Sequence, residues 1–432
     1  MLKKIKNIIS KTDRFLYQKF GSEKKLYFLE NLKEAQIIFE CLNEGEKENT
    51  VRFVGGCIRK ALFNKEIDDI DLATSLEPEK VKEKLNKRNI KVIDTGISHG
   101  TLTVYINNLK FEITSLREDV DTDGRHASVS FTGNWEKDAS RRDLTINAIY
   151  ADIDGKIFDP FNGIADLDKG IIRFIGSPEE RIKEDYLRIL RYFRFFAEYS
   201  KTEHDPKVIN FIKQNINGIN KISNERIFVE VKKILLLKNF DKLFLKDDLK
   251  KIILNIFPQF KYYKRLKKIN KLNKNMRSMY DSDQMLAALI LDESKEYEYF
   301  CYKYKTSNNT KNRLKYISEN IESIKKNKFN FEDNIKKLIY MNSKKQIKDL
   351  VLFSIHINNK LDLLKIEKLL SYIDSCKIPK FPISGEDLKN YGYKAGKDLG
   401  KKLKSLEEMW IKNNFTMDKK DIKKFLEKIS RN

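Results

Sequence analysis

Apolar residues follow two patterns along the chain. Between Val51 and Ile175 they form short β-prone runs divided by turn residues, and elsewhere they recur at helical spacing. Val51 to Val54 predicts a strand, broken by Gly55-Gly56, which opens a helix over Cys57 to Phe63. A second strand carries Asp69 and Asp71, and Ile90–Ile93, Gly100–Ile106 and Lys110–Ile113 predict three more. Glu77-Pro78 starts a short helix with Val81 and Leu85 on its apolar face. Asp152-Ile-Asp154-Gly155 marks a hairpin turn, and Asp159-Pro160-Phe161-Asn162-Gly163 marks another turn. These elements make a small mixed sheet with a helix or two packed on it. The run Leu116 to Ser130 is charged and poor in apolar residues, which predicts a mobile loop.

Outside this region the periodicity is helical. Lys24 to Leu42 leads into the first strand, and Met1 to Lys19 is basic and amphipathic without a secretory core or cleavage site, which suits a surface helix touching RNA or the head, with an organellar presequence as the alternative. Arg181 to Phe195 predicts a helix with Leu187, Leu190, Phe193 and Ala197 facing the core. Ile222 to Ile227 starts another, with Ser223 as N-cap and Glu225 in the first turn, and reads as structural. Lys232 to Cys376 is nearly all helix, with lysines and aromatics interleaved at Lys261–Lys268 and Tyr297–Lys305. Those aromatics are assigned mostly to the core and the lysines to a basic face able to follow an RNA backbone. Gly392, Gly396 and Gly400, followed by Leu403, Leu406 and Trp410, predict a turn and an amphipathic helix. The fold class is α+β: an N-terminal head with a small mixed β-sheet, then an all-helical neck, body and tail.

Composition adds a partner class. The 432 residues carry a formal net charge of +23, which favours a polyanion through counterion release. Cys41, Cys57, Cys301 and Cys376 are far apart, with neither zinc spacing nor a disulfide framework, so a reducing cytoplasmic setting is expected. No apolar run approaches the roughly 18 residues needed to cross a bilayer, so no membrane partner is expected. The oligomeric state is left open.

The candidate chemistry lies in three strings. In Gly55-Gly56-x-x-Arg59, the glycines let a phosphate approach the backbone, and Arg59 offers a cationic fork. Asp69 and Asp71 then point to one face of a strand, where two carboxylates repel unless a hard cation such as Mg²⁺ neutralises them. The second string is Asp138-Ala-Ser-Arg141-Arg142-Asp143-Leu144-Thr145-Ile146-Asn147-Ala148, whose adjacent arginines can grip triphosphate oxygens. Arg142 is the choice for nucleotide contact, with Asp143 placed to hold an arginine. The third is Glu184-Asp185-x-x-Arg188-x-x-Arg191, with Arg194 one turn further. Asp185 and Arg188 are helical neighbours. Alone, a Gly-Gly turn, an Asp-x-Asp or a helical ion pair is ordinary; in this order they point to nucleotidyl transfer.

Gly55-Gly56-x-x-Arg59 with Asp69-Ile70-Asp71-Leu72-Ala73-Thr74, the Arg141–Ala148 string and the Glu184–Arg191 string resemble the class II tRNA nucleotidyltransferases, CCA-adding enzymes that share a superfamily with bacterial poly(A) polymerases. The resemblance is clear to about Glu230 and returns at Pro382–Leu388 and the following glycines. It departs at Lys60, where the family usually has an acidic residue. It implies untemplated addition of C, C and A from CTP and ATP to the tRNA 3′ end. Asp69 and Asp71 would hold two Mg²⁺ ions. Gly55, Gly56, Arg59 and Arg142 would bind the phosphates or position the nucleotide. Asp185 and Arg188 would choose the base, and Arg191 and Arg194 would support them or hold phosphates. The charged residues of Leu116–Ser130 would act in the switch from CTP to ATP. The implied division is basic N-terminal helices at 1–48, a catalytic head at 49–176, a base-reading neck at 177–240, an RNA-binding body at 241–376 and a tail at 377–432 touching the tRNA, with the acceptor arm as partner. No His-Asp metal pair suggests a fused phosphohydrolase. A poly(A) polymerase, a CC-only or A-only adder, and a non-catalytic RNA-binding protein are the alternatives.

Overall fold

The structure is a computed structural model that describes residues 26, 29, 31–63, 65, 67, 69–96, 100–123, 126–326, 331–358, 362–418, 420–422 and 424. The basic run Met1–Lys19 lies outside the described residues. The chain divides into two units, 1–256 and 257–432.

In the first unit, α1 (Lys33–Asn43) leads to β1 (Val51–Val54), α2 (Gly56–Leu62), β2 (Ile70–Thr74) and α3 (Pro78–Lys87). Next come β3 (Val92–Gly96), β4 (Thr101–Ile106), β5 (Leu109–Ser115), β6 (Arg117–Asp123), β7 (His126–Phe131) and α4 (Trp135–Ser140). After a 3₁₀ turn at Thr145–Asn147 follow β8 (Tyr150–Ala151), β9 (Ile157–Phe158) and α5 (Gly163–Lys169). The unit ends in α6 (Pro178–Glu184), α7 (Leu187–Tyr199), α8 (Pro206–Asn215), α9 (Asn224–Leu235) and α10 (Asp247–Ile256). One seven-stranded mixed sheet has the order β3-β4-β5-β2-β1-β8-β9. Its parallel pair is β2 and β5, with Asp71 opposite Glu112. The predicted strands are all present, because their apolar residues bury: Val51, Phe53, Leu72, Val104, Phe111 and Ile113 are at most 1% exposed. Val81 and Leu85 are buried on α3 as their spacing predicts, and Leu190, Phe193 and Ala197 on α7, while Leu187 is half-buried.

The expected loop at 116–130 is instead a hairpin. β6 and β7 pair antiparallel from Arg117↔Phe131 to Asp123↔His126, with a register shift between Asp119 and Asp121. At its base Leu116 N donates to Thr74 O and accepts, through its carbonyl, from Thr132 N. A two-stranded ribbon is laddered through the inward-facing backbone groups of its two strands, which needs no run of apolar side chains, so a polarity reading misses it.

Close packing fixes the turn before the predicted nucleotide site. Gly163 opens α5 against the Thr145–Asn147 turn, where a Cβ would come 2.3 Å from the Thr145 carbonyl oxygen and 3.0 Å from Ile149 Cγ1. Gly163→Ala should lower stability by about 2 kcal/mol, the cost of overpacking a rigid contact, and depress the Tm accordingly. An unchanged melting curve would mean that the turn yields freely.

The second unit is helical: α11 (Leu266–Asn270), α12 (Lys274–Arg277), α13 (Ser282–Ile290), α14 (Glu296–Lys303), α15 (Asn308–Lys325), α16 (Phe331–Met341), α17 (Lys344–Ile357), α18 (Leu363–Ser375), α19 (Gly385–Asn390) and α20 (Lys397–Lys412). Arg313 ties three helix regions together, reaching Asp281 and Asp349 at 2.8 Å and Asp283 at 3.0 Å. The interleaved aromatics split: Tyr297, Phe300 and Tyr304 are buried, whereas Tyr299 and Tyr302 are exposed. Leu388, Leu406 and Trp410 form the tail's core with Ile383 and Ile422, consistent with the amphipathic reading.

Candidate active site

The strand–turn–helix at Val51–Leu62 places two glycines beside a carboxylate and two guanidinium groups. Gly55 has φ +67°, a conformation other residues resist. A Cβ there would lie 3.9 Å from Nη1 of both Arg142 and Arg59, and a Cβ on Gly56 would lie 3.7 Å from Asp71 Oδ2. Gly55 N already donates to Ile149 O, so what Gly55 supplies is its left-handed turn. Cys57 beneath is fully buried, and burial pushes its thiol up to about 11, which makes it packing rather than a nucleophile.

Asp71 lies in β2, and Asp69 sits one residue before that strand, exposed. Burial raises the Asp71 carboxyl above its ordinary value, and Glu112 and then Asp69 raise it further. Glu112 is a third acidic group absent from the sequence reading. Its signal was a parallel strand pairing across forty-odd residues, which no local motif shows. Among the described residues no three His, Cys, Asp or Glu side chains already converge on a metal position. The donor set nonetheless suits a hard divalent cation: all-oxygen, mutually repelling and partly buried.

Arg142 is held by a buried frame. Its Nε donates to Tyr150 Oη at 2.9 Å, its Nη2 to Asp138 Oδ2 at 3.0 Å and its Nη1 to Asn147 O at 3.4 Å. Asp138, 1% exposed, also accepts from Tyr150 Oη at 2.7 Å and Arg141 Nε at 2.9 Å. Burial opposes ionisation of Asp138, but Arg142 and Arg141 outweigh it and lower its pKa to about 2. Asp138 is therefore a positioning residue that sequence reasoning quoted without a role. Because its folded pKa is depressed, its ion-pair stability is present above the ordinary 3.8 and lost as pH falls through about 2. Asp138→Asn should thus cost about 2 kcal/mol more at pH 6 than at pH 2 in denaturant titrations. A pH-independent difference would refute the ionised clamp.

Asp143 does hold an arginine, but one from α7. Arg191 Nε donates to its Oδ2 at 2.6 Å, and Asn147 Nδ2 to its Oδ1 at 2.5 Å. Burial opposes ionisation, yet Arg191 and Asn147 keep the carboxyl well below the usual range. Thr145 Oγ1 donates to Asp166 at 2.6 Å. Arg194 pairs with Glu230 of α9. Arg191 and Arg194 thus tie α7 to Asp143 and to α9. Arg59 is 7% exposed behind the cradle, its Nη1 donating to Ile146 O at 3.1 Å and its guanidinium 4.8 Å from the Phe195 ring centre.

Asp185 breaks the chain between α6 and α7 in extended conformation. Arg188 N donates to its carbonyl oxygen at 2.9 Å, but the side chains of the two take other partners. Asp185 Oδ2 accepts from Arg226 Nη2 of α9 at 2.7 Å, and Oδ1 accepts from Leu187 N at 3.1 Å. Arg188 pairs with Glu184, donates Nη1 to Arg181 O at 3.1 Å and Nη2 to Arg141 O at 3.3 Å. Arg226 had been read as structural. Ser223 occupies the N-cap position of α9 without a side-chain capping bond.

Residues 51–173 match the poly A polymerase head domain, and 203–263 match the probable RNA and SrmB-binding site of polymerase A. The human mitochondrial CCA tRNA nucleotidyltransferase 1 is 35% identical over 412 residues, covering 93% of this chain and 91% of that protein. The chain belongs to the CCA tRNA nucleotidyltransferase family. Among other members, the CCA-adding enzyme of Ligilactobacillus salivarius is 33% identical over 92% of this chain and 98% of its own length. The crystal structure of the Bacillus stearothermophilus CCA-adding enzyme in complex with CTP superposes with a TM-score of 0.67 at 25% identity, covering 92% of this chain and 97% of that one. The α+β architecture of the CCA tRNA nucleotidyltransferases is thus this chain's architecture. Among the described residues no helix is long and apolar enough to cross a membrane.

Proposed function

We propose that the protein is a template-independent tRNA nucleotidyltransferase that adds C, C and A to the tRNA 3′ end from CTP and ATP, releasing pyrophosphate. One observation carries the reading: Arg188 donates to the carbonyl of Arg141, so the arginine pair beside the glycine cradle and the Asp185–Arg188 segment share one frame. Full-length similarity to CCA-adding relatives favours this over poly(A) synthesis, although the head match carries the polymerase name.

In this reading residues 49–176 are catalytic, 177–240 read the base, and 241–376 and 377–432 bind tRNA along its acceptor arm. Asp69 and Asp71, with Glu112 in register beside Asp71, would hold Mg²⁺. Bound there, Mg²⁺ would neutralise charge on the triphosphate and lower the pKa of the attacking 3′-hydroxyl. Arg142, pre-aimed by Asp138 and Tyr150, binds phosphate oxygens over Gly55 and Gly56. Asp185 accepts a hydrogen bond from the exocyclic amino group that cytosine and adenine share, and Arg188 donates to the ring acceptor beside it. Guanine and uracil present the opposite pattern on that edge, so no nucleic acid template is needed. The four buried free cysteines suit a reducing compartment, and the cytoplasm is the one proposed. The human relative's name places that protein in the mitochondrion.

Asp185→Asn should lower the preference for CTP over UTP by about two orders of magnitude, because a site built to accept from an amino group otherwise meets an unpaired acceptor. Competition assays with all four nucleotides in Mg²⁺ measure this. Unchanged selectivity would reject the base-reading role.

A further inference from the structure

We infer that Arg226 of α9 is a positioning residue for base choice, setting the direction of the Asp185 carboxylate. The inference rests on the base-reading role proposed above. Sequence spacing alone would let Asp185 and Arg188 satisfy each other, since residues three apart on a helix are neighbours. Such a closed pair would withdraw a carboxylate and a guanidinium from any incoming base. The structure avoids it twice. Arg188 is occupied by Glu184 and by the carbonyls of Arg181 and Arg141. Asp185 is occupied by Arg226, which arrives from forty-one residues further along the chain with Nη2 2.7 Å from Oδ2.

The backbone around Asp185 makes this contact directional. Asp185 sits at φ −151°, ψ 105°, outside both flanking helices, so no helical ladder fixes its side chain. The next residue is seated firmly: a Cβ on Gly218 would come 2.1 Å from the Tyr186 ring. With the backbone set by Tyr186 and one oxygen bound to Leu187 N, the remaining freedom is the aim of Oδ2, which Arg226 takes up. The Asp185 side chain is 29% exposed and Arg226 48%, so the pair is open enough for a nucleotide to reach the same carboxylate. A two-lone-pair oxygen can accept from Arg226 and from a base amino group together. Without Arg226 the Oδ2 of Asp185 loses the partner that aims it, and discrimination falls while the phosphate cradle and the Asp69 and Asp71 carboxylates are untouched.

The test compares Arg226→Ala, Arg226→Lys and Asp185→Asn, and the Arg226→Ala/Asp185→Asn double variant, in full-length protein. The readout is kcat/KM for CTP, ATP, UTP and GTP on a tRNA transcript. Arg226→Ala should cut the CTP-over-UTP preference about tenfold, the scale of one hydrogen bond to a charged group. Arg226→Lys, which keeps the cation, should recover part of it and keeps the test valid if the alanine variant fails to fold. The double variant should be no less selective than Asp185→Asn alone, because both act through one carboxylate. Arg226→Ala that slows all four nucleotides equally, or that adds its full effect to Asp185→Asn, overturns the inference while leaving base reading intact. Unaltered selectivity in Asp185→Asn overturns base reading itself, and this inference with it.

Discussion

Asp71→Asn should lower nucleotide incorporation by about a thousandfold or more, the scale seen when a preorganised charge-stabilising group at the reacting centre is removed. The tRNA affinity should stay within about twofold, because phosphate contacts spread over a surface carry it. The sharper expectation concerns stability. Burial, Glu112 and Asp69 all disfavour the charged form of Asp71. The folded carboxyl therefore has a raised pKa, and near neutral pH its ionisation opposes folding. Neutral asparagine removes that opposition, so the inactive variant should melt at the same temperature as the parent or higher. Loss of activity with loss of fold would instead make Asp71 a structural residue. Near-normal turnover would remove it from the site.

Arg142→Ala should reduce kcat/KM by about a hundredfold, and equally for CTP and ATP, because both present the same triphosphate to the fork. Arg142→Lys should restore little. A point charge cannot bridge Tyr150 Oη, Asp138 Oδ2 and a phosphate as a planar guanidinium can. The alanine variant should also be less stable, since Asp138 is 1% exposed and would lose one of the two arginines paired with it among the described residues. Steady-state kinetics with each nucleotide, beside a denaturant titration, separate the two effects. A loss confined to one nucleotide would place Arg142 at the base rather than at the phosphates.

The legible parts of the site were those whose geometry is local. Gly55-Gly56 at the start of a helix and Asp71 on a strand are fixed by a few consecutive residues, and the structure places them together much as their spacing suggests. The strands were legible because each buries apolar residues on a short run. What escaped was long-range. Glu112 becomes a neighbour of Asp71 only through the parallel β2–β5 pairing. Arg226 reaches Asp185, and Glu230 reaches Arg194, only because α9 packs on α7. Spacing suggested that Asp185 and Arg188 would pair, and it could not show that each had a better-placed partner. The β6–β7 hairpin was missed for another reason: its ladder is a backbone property, and its side chains are too polar to betray it.

Addition by this protein should be ordered, untemplated and self-terminating. Its most direct test uses tRNA transcripts ending before CCA, after the first C and after the second C. Each is incubated with CTP, ATP or both in Mg²⁺, and the 3′ ends are sequenced. With both nucleotides, C, C and A should be completed on every transcript and then stop, with ATP alone extending only the transcript that already ends in CC. Long adenosine tails from ATP alone, or a halt after the second C with both nucleotides present, would contradict it.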